Sequence, residues 1–103
     1  MLNHLDKILT LSRQNSAPIF VRNAKLMEEV GEFSECLMHS MGFLPHKTMS
    51  EPLEGEVADV LICLLDTYAA VRTDLTSEQI IATIAAQLEK KSLKWEKIIN
   101  QPN

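Results

Sequence analysis

The chain has no uninterrupted apolar run of the length a membrane-spanning helix needs, which excludes a transmembrane segment. The stretch from Met1 to Leu11 interrupts its apolar residues with Asn3, His4, Asp6 and Lys7, so it lacks the core of a signal peptide. There is no C-x-x-C pair. Cys36 and Cys63 each stand in an apolar helical stretch and read as buried free thiols in a reducing compartment. No segment alternates apolar and polar residues long enough for a strand, and there is no internal repeat or low-complexity stretch. A surplus of basic charge is missing too. The net charge is −4 and the pI about 5.3, which argues against a nucleic-acid polymer as partner. Together these absences predict a soluble, cytoplasmic protein.

What is present is helical pattern. With 103 residues, 46% of them hydrophobic and 23% charged, the chain is expected to be one globular domain rather than a disordered one. A first helix is predicted over about Leu2 to Asn15, its apolar stripe made by Leu2, Leu5, Ile8, Leu9 and Leu11. Pro18 opens a second helix in its first turn, running to about Ser40 and burying Leu26, Val30, Phe33 and Leu37. Gly42 and Pro45 place a loop over Met41 to Met49. Ser50 reads as the N-cap of a third helix extending to about Arg72, with Glu51 and Glu54 set against its dipole. The apolar face of that helix is Val57, Val60, Leu61, Leu64, Leu65 and Tyr68. Thr76 and Gln79 form a capping box for a fourth helix through Ile80, Ile84, Leu88 and Lys91 toward Ile98, with a frayed tail from Asn100. The expected architecture is an all-α, antiparallel four-helix bundle.

Two acidic clusters stand out against this pattern, Glu28-Glu29-Val30-Gly31-Glu32 and Glu56-Val57-Ala58-Asp59. Within each, carboxylates three apart share a helix face. Glu28, Glu32 and Glu35 form one stripe with Glu29 on its flank, and Glu56, Asp59, Cys63 and Asp66 form the other. Both stripes border the apolar faces, where a merely solvating charge run would not sit. Like charges about 4 Å apart repel by roughly 4 kcal/mol at an effective dielectric of 20, so the pattern calls for a cation between the helices. Gly31 and Gly55 adjoin the clusters, each costing about 1 kcal/mol of helix propensity against Ala, as if side-chain bulk were excluded there. A di-iron bundle needs Glu-x-x-His, which the chain lacks, since Glu35 and His39 are four apart. Carboxylates alone suit magnesium, with manganese as substitute.

The EExxE of Glu28, Glu29 and Glu32, followed by the ExxD of Glu56 and Asp59, within KLMEEVGEFSE and EGEVADVLICLLD, resembles the MazG-type all-α nucleoside triphosphate pyrophosphohydrolases. The resemblance implies a metal-dependent enzyme that cleaves (deoxy)nucleoside triphosphates to monophosphate and pyrophosphate. It implies house-cleaning of surplus or non-canonical nucleotides, and a homodimer or homotetramer. Carried over, it implies Glu29, Glu32, Glu56 and Asp59 as magnesium ligands. Glu28 is then a supporting group, a ligand to an additional metal, or the base that takes a proton from the attacking water. Among Lys90, Lys91, Lys94 and Lys97, it marks Lys91 and Lys94 for phosphate, either in their own chain or in a neighbour's site. Lys25, one turn before Glu29, is a further candidate. His39, Trp95 and Asp66 are candidates for the base or sugar pocket. For Trp95 the alternative is a packing anchor, and for Asp66 it is an ion pair with an arginine. Two readings without catalysis stay open: a helical module that binds a basic partner, and a bundle whose metal is structural.

Overall fold

The computed structural model of the chain describes residues 1–44 and 51–102. Among them lie four helices and no strand: α1 (Leu2–Gln14), α2 (Ile19–Ser40), α3 (Leu53–Val71) and α4 (Ser77–Ile99). The all-helical expectation therefore holds. No helix is long and apolar enough to cross a membrane.

The helix boundaries follow local chemistry. Asn15 closes α1, and its side-chain oxygen accepts from the Ala17 N–H at 3.0 Å, turning the chain toward α2. Pro18 is the residue before α2 rather than in its first turn. The capping box of α4 is formed as expected. The Gln79 N–H donates to the Thr76 hydroxyl at 3.1 Å, and the Thr76 N–H donates to Gln79 Oε1 at 2.9 Å. The expected cap of α3, Ser50, lies outside the described residues, and the helix itself begins later than predicted, after Pro52. Proline disfavours helical backbone in the residue before it. Glu51 is thereby left outside the helix, while Glu54 and Glu56 occupy the first turn.

Helix α3 is the centre of the packing, with α2 along one side and α1 along another, and α1 also meets the start of α4. The fully buried core is small: Leu9, Ala69 and Ile80, with Leu65, Tyr68, Leu75, Ile81 and Ile84 packed around it. The arrangement is more open than a closed bundle. Every residue from Ala85 to Asn100 is exposed. The radius of gyration is 16.5 Å, against about 13 Å for a compact chain of this size. This corrects several core assignments. Val30, Val57, Leu61 and Leu64 are 40–49% exposed, and Leu26, Phe33 and Leu37 are only half-buried. These faces are amphipathic as expected, but no fourth helix closes over them.

Candidate metal centre

Contacts along the α2–α3 seam show that the two helices run antiparallel. Early in α2, Arg22 meets Asp66 and the backbone of Arg22 accepts from Thr67. One carboxylate oxygen from each of Glu29, Glu56 and Asp59 gathers at mid-helix. Later in α2, the Cys36 thiol points to the Glu51 carbonyl at 3.9 Å. Arg22, Glu29 and Cys36 are spaced at sevens, two helical turns, so all three face α3. The seam is thus a ladder of polar rungs.

The first rung is complete in itself. Asp66 Oδ1 accepts from the Ser12 hydroxyl at 2.6 Å and from Arg22 Nη1 at 3.2 Å, while Asp66 Oδ2 accepts from Asn15 Nδ2 at 3.0 Å. Arg22 also donates to the carbonyls of Ala17, at 2.8 Å, and Asn15. This rung ties the turn between α1 and α2 to α3. Asp66, a candidate for base or sugar binding, is taken up by that task, as its arginine-pairing alternative anticipated.

The second rung is not complete. One oxygen from each of Glu29, Glu56 and Asp59 lies within 4.8 Å of the other two, and the same holds for Glu28, Glu29 and Glu32. Glu29 belongs to both groups and so sits at the centre, not on the flank where the stripe placed it. The Glu29 and Glu56 residues are 6% and 7% exposed. Glu29 Oε1 accepts from Lys25 Nζ at 3.0 Å. Glu29 Oε2 and Glu56 Oε2 are buried with no hydrogen-bond partner. A buried acceptor left unpaired costs about 1–3 kcal/mol, and more when charged. Lys25 is half-exposed and stands 3.7 Å from Glu28, which lies at the rim. Hydrogen bonding to Glu29 and the charge of Glu28 push the Lys25 ammonium pKa up. Glu32, also at the rim, has its carboxyl pKa raised, first by the charge of Glu29 and then by burial.

Glu51 is the residue that sequence reasoning missed. The neighbouring Asp59, then desolvation and Glu56, raise its carboxyl pKa from 4.5 to about 7. Helical periodicity cannot reveal it, because Glu51 precedes the helix. The available signal was an acid directly before Pro52, one helix-start away from a second acid pair. The two glycines part company here. A Cβ on Gly31 would meet nothing within 4 Å, so bulk is not excluded there, contrary to expectation. A Cβ on Gly55 would lie 3.2 Å from the Glu51 carboxyl group.

The donor set fits a hard divalent cation. It consists of carboxylate oxygens, and oxygens around such an ion lie roughly 3–4 Å apart at metal–oxygen distances near 2.1 Å. The nearby thiols do not redirect it toward a soft metal. Neither thiol belongs to the two groups of converging ligand atoms, and burial, reinforced by Glu56 for Cys36 and by Glu29 for Cys63, pushes their pKa values up.

The remaining candidates lie elsewhere. His39 is half-buried in the last turn of α2, beyond Glu32. Lys91, Lys94 and Trp95 stand on the exposed half of α4, Trp95 at 66% exposure. Lys90, Lys94 and Lys97 line an open hollow with Leu93 on that helix. No ion pair among the described residues joins these lysines to the acidic cluster. No family model, characterised protein or solved structure matches this chain at a significant level.

Proposed function

We propose that the chain is a magnesium-dependent nucleotide pyrophosphohydrolase that cleaves (deoxy)nucleoside triphosphates to monophosphate and pyrophosphate. Its service is the removal of surplus or non-canonical deoxynucleotides in the cytoplasm. The observation that carries the reading is the gathering of Glu29, Glu56 and Asp59 between two helices, with a buried, unpartnered oxygen on both Glu29 and Glu56. The likeness of the EExxE and ExxD segments to the MazG type supplies the reaction.

In this reading Glu29, Glu32, Glu56 and Asp59 hold magnesium, or manganese in its place. The bound ion supplies positive charge against the triphosphate oxygens and lowers the pKa of a coordinated water. Lys25 fixes one Glu29 oxygen and leaves the other for the cation. Glu28, at the rim and open to solvent, then serves as a supporting group, holds a further cation, or takes a proton from the attacking water. Lys91 and Lys94 serve phosphate in the site of a second copy, with His39 and Trp95 as candidates for the base. Homodimers or homotetramers then bury the apolar faces that one chain leaves open.

The test is to incubate pure protein with a panel of NTPs and dNTPs and Mg²⁺, and to quantify monophosphate and pyrophosphate. Equimolar release of both from at least one substrate is expected. A folded protein that releases neither from any member of the panel overturns the proposal. Chelation distinguishes this from a structural metal. Asp59 and the core residue Ala69 are ten positions apart on α3, about 15 Å along the helix. Removing the ion is therefore expected to stop turnover while helicity stays.

A further inference from the structure

Glu51 has no role in the EExxE and ExxD pattern, and its position is not what its surroundings would dictate for a solvent-exposed acid. It sits on the segment leading into α3, outside the helix, where water is within reach. The nearest attraction is the N-terminus of α3, whose first N–H groups have no side-chain cap. A glutamate there ordinarily turns to those N–H groups. The Glu51 carboxyl instead lies over Gly55, next to Glu56 in the chain and four residues before Asp59, so on the Asp59 side of the helix. Two carboxyl groups come together only with a proton or a cation between them.

The backbone is adapted to this placement. Gly55 lies in the first turn of α3, and an added Cβ there would come within 3.2 Å of both Cδ and Oε2 of Glu51. That is tighter than ordinary van der Waals contact, so a side chain at this position would press on the carboxyl and push it aside, a bulky one most of all. Gly55 has no positive φ to require a glycine, the only one described being at Gly42. The Cys36 thiol, 3.9 Å from the Glu51 carbonyl, touches the same segment from α2. Beyond Glu51 lie the buried and unpartnered oxygens of Glu29 and Glu56.

We propose that Glu51 is a further ligand of the cation site between α2 and α3, and that Gly55 is a glycine because the Glu51 carboxyl needs its space. This inference rests on the reading of the acidic cluster as a cation site, but not on the reaction assigned to it. The expected consequence is that Glu51 and Gly55 act as one unit.

The experiment is a calorimetric titration of the full chain with Mn²⁺ and with Mg²⁺. It compares the unaltered protein, Glu51→Gln, Gly55→Leu and the double variant, each checked for helicity by circular dichroism. Glu51→Gln keeps size and shape, and Gly55→Leu keeps the carboxylate but fills its place. Each single change is expected to weaken Mn²⁺ binding by about tenfold or more, the scale on which supporting groups of metal sites act. The double variant is expected to bind no more weakly than either single one, the non-additivity of two changes that remove the same contact. Wild-type affinity in Glu51→Gln overturns the ligand role. An undiminished extra loss on adding Gly55→Leu to Glu51→Gln overturns the link to Gly55. If the unaltered protein takes up neither ion, the cation site itself is wrong, an outcome distinct from both.

Discussion

Asp66 and Glu56 lie on the same helix, both acids, both turned toward α2, yet their surroundings are opposite. Asp66 is met by Ser12, Asn15 and Arg22, so that each of its oxygens has a donor from the chain. Glu56 is more deeply buried, has an oxygen without a donor, and faces two further acids instead of an arginine. Burial alone therefore does not mark a functional carboxylate here. The distinguishing quantity is whether the fold itself supplies the donors. Where it does, the acid fastens helices together. Where it does not, as at Glu56 Oε2, the acid is left without a donor from the chain, and on that lack the proposed cation site rests.

The largest expected effect comes from breaking the complete rung. Arg22 has a side chain only 9% exposed and donates to Asp66, Ala17 and Asn15. Arg22→Ala removes these donors and leaves Asp66 charged and poorly paired. Losses of one partner from a buried pair run at about 3 kcal/mol or more. For a domain of this size that lowers the melting temperature by about 12 °C or more. Thermal unfolding checks it, and a shift of only a degree or two would place Asp66 with the exposed acids.

Glu56→Gln is expected to behave in the reverse sense. It replaces a buried acid, one of whose oxygens has no donor, by a neutral amide of the same shape, so metal-free stability should rise by about 1 kcal/mol. Metal-dependent turnover should fall by at least about a hundredfold, since loss of a ligand exceeds the loss caused by a supporting group. Saturating Mg²⁺ or Mn²⁺ is expected to raise the melting temperature of the unaltered protein, by an amount equivalent to about 2.7 kcal/mol at a hundred times Kd. Glu56→Gln should abolish that rise. A variant that is destabilised like Arg22→Ala and still responds to metal would erase the contrast between the rungs.

How much of this could be read in advance follows the same physics. Helix positions are encoded locally by the 3.6-residue apolar period and by caps such as Thr76 with Gln79, and these came out nearly as expected. The gathering of Glu29, Glu56 and Asp59 was legible because acids three apart must share a helix face. Packing depth was not. Val30, Leu61 and Leu64 belong to apolar stripes, but a stripe does not disclose whether another helix covers it. Asp66 shared a stripe with the site residues, and its donors come from positions 44 to 54 residues away, beyond any local signal. Glu51 escaped because Pro52 holds it outside the helix, where periodicity says nothing about direction.

The smallest expected effect is on the pH dependence of stability, and it tests how the incomplete rung manages without a cation. The Glu51 carboxyl, beside Asp59, has a pKa of about 7 against an ordinary 4.5. Between these values the folded chain holds a proton that the unfolded chain has released. Stability therefore falls as pH rises whenever the folded state binds more protons. The favourable contribution is complete below about 4.5 and is lost as pH passes through about 7. Glu32, raised by Glu29, adds in the same direction. Metal-free protein should thus lose stability across this window in chemical denaturation with chelator present, and Glu51→Gln should flatten the slope. With Mn²⁺ the trend should turn over, because the cation competes with the proton and binds more tightly as pH rises. A metal-free slope of the opposite sign would mean that the acids around Asp59 already have donors, as Asp66 does.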